Sequence, residues 1–203
     1  LTLRVLKELE SLSEQNVEKY GKFWHKYGLL LKEGISSDFK NKNRLMDLLR
    51  FNSSLSEDDS ADVSLKSYVQ RMREVQKEIF YVTGGSRESI MHNPNLEYFK
   101  KQNIEVLYLT DQIDDFMVTD MREYDGKNLK NISQGDIDGI NDSDISVPKT
   151  SLSKEEQSDI LAFFKNQLKD RVSEVSDSKR LVDSPCSLVT PKDGMTVQME
   201  KMM

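Results

Sequence analysis

The sequence predicts an α/β protein (α+β overall), in which a helical bundle leads into a small three-stranded parallel βαβαβ unit and then a separate small α+β unit. Apolar residues recur every three or four positions in most of 1–76, outside a polar and acidic loop at 51–62, which indicates helices. β-branched and aromatic runs alternate with helical patterns in 77–133. The acidic stretch 134–150 has no periodicity and predicts a linker, and a new helical pattern opens the second unit, 151–203.

The composition excludes several classes of protein. The 203 residues carry a net charge of −6, which argues against a nucleic-acid partner because phosphate binding needs a basic face. No run approaches the roughly 20 apolar residues of a membrane span. The single cysteine, Cys186, favours a reducing, cytoplasmic compartment, and we expect it to be at least half-buried on a strand. Two histidines and one cysteine lack metal-ligand spacing, so we predict no metal site.

The first region, 1–76, contains three predicted amphipathic helices. The first has an apolar face at helical spacing and Gly34 as its stop. That face is formed by Val17, Tyr20, Phe23, Trp24, Tyr27, Leu30 and Leu31. A second, shorter helix has Leu45, Leu48 and Leu49 on its apolar face. Ser64 caps the third helix, whose inward residues extend to Val75.

The next region predicts strand, helix, strand, helix and strand. The strands are EIFYVT at 78–83, EVLYLT at 105–110 and the weaker KNLKNIS at 127–133. Ser86 and Asp111 are the predicted caps of the helical segments between them. Helices that alternate with the strands, with short joins, imply parallel strands connected by right-handed crossovers.

The second unit begins with a capping box, Ser153-x-x-Glu156, and an apolar helix. The segment 172–190 alternates weakly and predicts two or three strands. A last helix is predicted from about residue 191. It carries a methionine stripe consisting of Met195, Met199, Met202 and Met203. Such a stripe fits a core face, and it equally fits an adaptable surface that binds many apolar partners.

No set of side chains converges on a catalytic site. Asp114 and Asp115 are adjacent on a predicted helix and therefore point in different directions, so we interpret them as a solvated acidic first turn. Gly84-Gly85-Ser86 follows a strand but lacks the glycine spacing and the lysine of a phosphate-binding loop. A tight turn and a helix cap explain it. A small enzyme built on the parallel sheet is therefore a weak hypothesis.

Several blocks resemble one family along the whole chain. FWHKYGLLLKEGISSDFKNKNRLMDLLRFNSS (23–54) is similar to a helical block in the middle segment of heat-shock-protein-90 chaperones. VSLKSYVQRMREVQKEIFYVTGGS (63–86) and EVLYLTDQIDDF (105–116) resemble the strand–helix motifs that follow it. RLVDSPCSLVT and MTVQMEKMM resemble the start of the C-terminal domain in the bacterial branch. The matched part is thus the distal middle segment plus the beginning of the C-terminal domain.

The resemblance implies a longer, ATP-dependent parent with an N-terminal ATPase domain, a middle segment and a C-terminal dimerisation domain. ATP and magnesium would bind elsewhere in that parent, so we assign no catalytic, cofactor-binding or metal-binding residue here and expect no enzyme activity of this part. Because Leu1 is not a methionine and the end falls in a predicted helix, we expect both ends to be cuts through a longer chain. The parent would be a homodimer and this part a monomer.

The resemblance also places the binding of non-native client proteins at the junction of the two units. The matching residues are Asp115, Phe116, Thr119, Met195, Met199, Met202 and Met203. We expect Phe116 and the methionines to supply apolar contact and Asp115 to form part of a polar rim. The alternative is a purely structural relay, which would transmit ATP-driven closure without contacting clients.

Overall fold

The computed structural model describes residues 2–135, 152–178, 181–191, 194–195 and 199. Its helices are α1 (Thr2–Gln15), α2 (Val17–Ser37), α3 (Lys42–Leu48), α4 (Leu65–Arg71), α5 (Arg87–Met91), α6 (Asn95–Lys101), α7 (Asp114–Met121) and α8 (Lys154–Leu168). Its strands are β1 (Asn52–Ser53), β2 (Glu78–Thr83), β3 (Leu107–Leu109), β4 (Glu123–Tyr124) and β5 (Lys127–Asn131). The α/β fold class is confirmed. Most of the predicted acidic linker, 136–150, lies outside the described residues, as do Met202 and Met203.

The helices of the first region pack around a shared apolar cluster. Asn16 caps α2 by accepting a hydrogen bond from the backbone N–H of Lys19 at 3.0 Å. The predicted stop at Gly34 is wrong, because α2 continues to Ser37. A Cβ atom at Gly34 would lie 3.1 Å from Leu45 Cδ1, so the glycine permits close packing of α3 on α2 instead.

The third of the predicted helices is α4 in the structure, and it begins as predicted. Ser64 and Ser67 form a reciprocal capping box at its start. The helix ends at Arg71, earlier than the apolar pattern indicates. The backbone then turns extended at Met72, which leaves Val75 57% exposed, so its predicted inward position is wrong.

A five-stranded mixed sheet organises the second region, in the order β1-β3-β2-β5-β4. The three central strands are parallel, as predicted, with Tyr81 opposite both Leu107 and Asn131. The two edge strands pair antiparallel and were not predicted, because two residues are too few to show an alternating pattern. Gly84 follows β2 at a close approach, since a Cβ atom there would lie 2.6 Å from Ile90 Cγ1.

Each face of the sheet is covered by a separate apolar cluster. One contains the inward residues of α1–α4 and α7, together with Ile79 and Leu107 from the sheet. The other lies under α5 and α6 and includes Phe80 and Phe99. A strand buried on both faces produces the continuous apolar run that identified β2 in the sequence.

The predicted strands in 172–190 are wrong for the residues that the structure describes there. The one sheet-like contact is an isolated bridge between Gln134 and Thr190. Without a sheet to cover it, Cys186 is exposed, contrary to expectation.

The capping box of α8 is confirmed, with Ser153 accepting from the N–H of Glu156. Within the described ranges, no helix is long and apolar enough to cross a membrane.

Candidate functional site

Helix α7 follows β3 at the carboxyl-terminal edge of the parallel strands. The predicted cap, Asp111, is wrong, because Ile113 occupies the N-cap position. The hydrogen bond runs in the opposite direction: the N–H of Asp111 donates to Asp114 Oδ2 at 3.0 Å. The first carboxylate of α7 thus folds back and fixes the loop that leads into the helix.

A buried ion cluster ties α7 to α2. Lys32 Nζ lies 2.7 Å from Asp111 Oδ2 and 2.7 Å from Asp114 Oδ1. Lys32 is 5% exposed and Asp114 is fully buried. The interpretation of Asp114 as solvated is therefore wrong. Burial raises the pKa of the Asp114 carboxyl, while the ammonium of Lys32 opposes that shift.

Sequence reasoning missed Lys32 because lysines on amphipathic helices usually face water. A signal was nevertheless present. Lys32 stands on the same helical face as the buried residues Trp24, Gly28 and Ile35, at spacings of four, four and three. Its ammonium also lies 5.5 Å from the ring centroid of Phe51 and 6.0 Å from that of Trp24.

The second carboxylate of α7, Asp115, faces the protein interior. It is 2% exposed. Burial, together with the negative charge of Asp115, raises the pKa of Tyr81 on β2. The predicted role of Asp115 in an exposed polar rim is therefore not compatible with its position. Thr119, one turn further along the helix, is exposed, and its hydroxyl donates to the Asp115 carbonyl at 2.8 Å.

Phe116 is the one large apolar side chain that α7 exposes to solvent, at 54% exposure. Met117, Val118 and Met121 on the same helix are buried. Thus α7 buries Asp114, Asp115 and three of its four large apolar side chains, and it presents an aromatic ring outward. An exposed ring on a firmly packed helix is a suitable anchor for apolar ligands.

The methionine stripe is only partly described. Met195 is 49% exposed, and Met199 is helical and half-buried. Gly194 accepts a hydrogen bond from Gln134 Nε2 at 3.0 Å, which holds the backbone beside Met195. Gln134 comes just after β5 and α7 comes just after β3, so both lie at the carboxyl-terminal edge of the sheet. The backbone beside Met195 and the start of α7 are therefore both near this edge of the sheet.

No metal centre emerges from the part of the chain that the structure describes, where no group of three or more His, Cys, Asp or Glu side chains could hold an ion.

Comparison with known proteins identifies one family along the whole chain. The family model described as Hsp90 protein matches residues 1–203. The chain is 42% identical over 205 residues to the chaperone protein HtpG of Francisella tularensis subsp. novicida, covering all of this chain and 32% of that protein. It is 41% identical over 203 residues to that of Chlorobaculum tepidum, again covering 100% and 32%. For the protein of Geobacter sulfurreducens the identity is 38% over 214 residues, covering 100% and 31%. The chain thus spans about a third of the length of these relatives.

Proposed function

Because this chain belongs to the Hsp90 protein family, we propose that it is the part of an ATP-dependent chaperone that contacts non-native client proteins and couples the ATPase domain to the dimerisation domain. The observation that carries the proposal is Phe116, a half-exposed aromatic side chain on a helix whose other face is fixed by buried ions. Non-native proteins differ from folded ones in exposing apolar side chains, so a surface that binds them needs exposed apolar groups.

The proposed contact surface differs from the one expected from the resemblance alone. Phe116 and Met195 are its apolar members, and Thr119 lies one turn from Phe116 as a polar neighbour. Met199 is half-buried and extends the surface, whereas Met202 and Met203 stay predictions. Asp115 is buried beneath α7, so its side chain would not touch the client.

A rigid aromatic anchor and a flexible thioether have complementary uses. The ring offers a large apolar area with little loss of side-chain entropy, and methionine adapts to irregular partners. Binding by this chain alone should be weak, because a dimeric parent would add a second copy of the surface and therefore avidity. ATP and magnesium binding, dimerisation and a cytoplasmic location of the parent belong to the same proposal. The single cysteine supports a reducing compartment.

The test uses a fluorescently labelled globular protein, reduced and alkylated so that it stays unfolded, and follows its anisotropy as this chain is added. We expect Phe116→Ser to weaken binding about tenfold, because a central aromatic anchor contributes roughly 1–2 kcal/mol or more. Phe39→Ser is the matched control, since Phe39 is 75% exposed and lies in the turn after α2. That control should change the dissociation constant by less than about twofold.

The same experiment separates client contact from the purely structural relay. Hydrogen bonds such as that between Gln134 and Gly194 join the two units and favour a mechanical role as well. If Phe116→Ser binds the unfolded probe as well as the unaltered chain does, with an unchanged circular dichroism spectrum, the client-contact proposal is wrong and the relay remains.

A further inference from the structure

A single carboxylate on α6 receives hydrogen bonds from three consecutive backbone amides of a distant segment. Glu97 Oε2 accepts from the N–H groups of Val182 at 3.2 Å, Asp183 at 2.9 Å and Ser184 at 3.0 Å. The hydroxyl of Ser184 donates to Oε1 of the same side chain. Successive N–H groups that converge in this way form a concave anion-binding nest, and here the anion belongs to the protein itself.

Weaker contacts continue along the same segment. Asn95 Nδ2, also on α6, donates to the carbonyl of Leu188 at 3.3 Å. The N–H of Thr190 donates to the carbonyl of Ser133 at 3.0 Å. With the Gln134–Gly194 bond described above, these contacts place residues 182–191 and 194 beside α6 and the end of β5.

Apolar contacts contribute little to the position of this segment. Among its described residues none is buried, Val182 is half-buried, and Leu188 is 64% exposed. Polar contacts must therefore hold it in place, and a charged acceptor forms the strongest of them. The hydrogen bonds from residues 182–184 lower the pKa of Glu97 to about 2, so the carboxylate is ionised at neutral pH.

We propose that Glu97 is a positioning residue, whose carboxylate closes the backbone nest at 182–184 and thereby fixes the segment that carries Met195 against the unit that carries Phe116. The nest and its closure stand on the geometry alone. The consequence for clients rests on the proposed function, because it requires Met195 and Phe116 to act as one surface.

The direct test is amide hydrogen exchange of the 203-residue chain, followed by NMR at residues 182–184 without any client. In Glu97→Gln the charge is lost and only one oxygen remains as an acceptor. We expect protection of these three amides to fall about tenfold or more. Glu88→Gln is the matched control, since Glu88 also lies in the first turn of a short helix, α5. It should leave protection within about twofold.

Two further variants grade the effect. Ser184→Ala removes one donor and should lower protection by a smaller factor than Glu97→Gln. Glu97→Asp keeps the charge on a shorter side chain and should retain more protection than Glu97→Gln. The exposed Cys186 permits a second measurement, because a nitroxide attached there should become more mobile in Glu97→Gln. Unchanged exchange and unchanged label mobility in Glu97→Gln would overturn the proposal.

The pH dependence has a definite sign. The hydrogen bonds between Glu97 and residues 182–184 are called the latch below. Because the pKa of Glu97 is lowered from 4.5 in an unstructured chain to about 2, the latch is at full strength above about pH 4.5 and is lost as the pH falls towards 2. Protection at 182–184, corrected for intrinsic exchange, should decline over that range in the unaltered chain. Glu97→Gln should show a smaller decline than the unaltered chain, because it lacks the charge that strengthens these hydrogen bonds, whereas a purely steric role of the side chain would give equal declines.

The client experiment is kept separate so that the two proposals can fail independently. If Glu97→Gln loosens 182–184 and the unfolded probe does not bind the unaltered chain, the latch stands and the client surface does not. If the latch positions Met195, Glu97→Gln should weaken probe binding when Met195 is present. The same substitution should have less effect when it is combined with Met195→Ser. Equal effects in both backgrounds would show that the latch does not act through Met195.

Discussion

The two regions of this chain are held in different ways. Residues 2–135 contain two apolar clusters, one on each face of the sheet, and each of the helices α1–α7 contributes buried side chains. In the described residues of 152–195, by contrast, none is buried. Helix α8 exposes Ile160, Phe163 and Phe164 to 43%, 59% and 48%. The first region has its own core, whereas residues 182–191 and 194 are positioned by polar contacts with the first region.

This difference determines which substitutions matter. In a core, a lost side chain leaves a cavity or an unpaired charge, and the cost is several kcal/mol. In a solvent-exposed segment, the same substitution removes little buried surface area, so its cost in stability is small. The proposed client contact would need both properties, because Phe116 would have to be exposed and yet rigidly supported, and the ion cluster under α7 offers such support.

The largest effect should follow from removing the cation of that cluster. Lys32→Met leaves Asp114 buried without its partner, and breaking a buried ion pair on one side costs about 3–5 kcal/mol. The free energy of unfolding can be measured by denaturant titration. Trp24, the single tryptophan, lies near the ammonium and serves as the fluorescent probe.

Lys22→Met is the control for loss of a lysine from the same helix. Lys22 pairs with Glu18 at 2.7 Å, but the two side chains are 76% and 82% exposed, so the change should cost less than about 0.5 kcal/mol. The double variant Lys32→Met/Asp114→Leu should recover much of the loss, since both buried charges are removed. Equal stabilities of Lys32→Met and Lys22→Met would contradict the assigned role of the cluster.

Elements with a strong local signal were predicted well. Strand β2 occupies the predicted 78–83 because an apolar β-branched run bounded by glycines has few alternatives. Ser64, Ser86 and Ser153 all cap helices as predicted. Capping depends on a few adjacent residues, so a single sequence contains the needed information.

The features that the sequence did not predict depend on contacts between residues far apart in the chain. Lys32 and Asp114 look solvated when each helix is considered alone, and only the packing of α2 on α7 buries them. Family resemblance marked Phe116 and Asp115 equally, yet adjacent residues on a helix face different ways, and the structure exposes one and buries the other. Glu97 had no signal at all, because its partners lie more than 80 residues away.

A moderate loss of stability is expected at Tyr68, which links α4 to β2 and to the residues just before β3. Its hydroxyl donates to the Glu105 carbonyl at 2.8 Å and accepts from the N–H of Phe80 at 3.0 Å. Tyr68→Phe leaves both backbone groups without this partner, which should cost about 1–3 kcal/mol in the free energy of unfolding. Tyr27→Phe, at a tyrosine that is 41% exposed, is the control and should be nearly neutral. A neutral Tyr68→Phe would mean that neighbouring groups or water replace the hydroxyl.

The smallest effect should come from the uncovered helix. Phe163 on α8 is 59% exposed, and Phe163→Ala removes no buried area comparable to a core residue, so stability should change by less than about 0.5 kcal/mol. The same substitution at the buried Phe80 is the positive control and should cost about 3–5 kcal/mol. Both are measured by denaturant titration with Trp24 fluorescence. A loss above about 1 kcal/mol for Phe163→Ala would show that α8 is covered in solution, and the contrast between the two regions would then reflect a missing contact rather than a difference in how they are held.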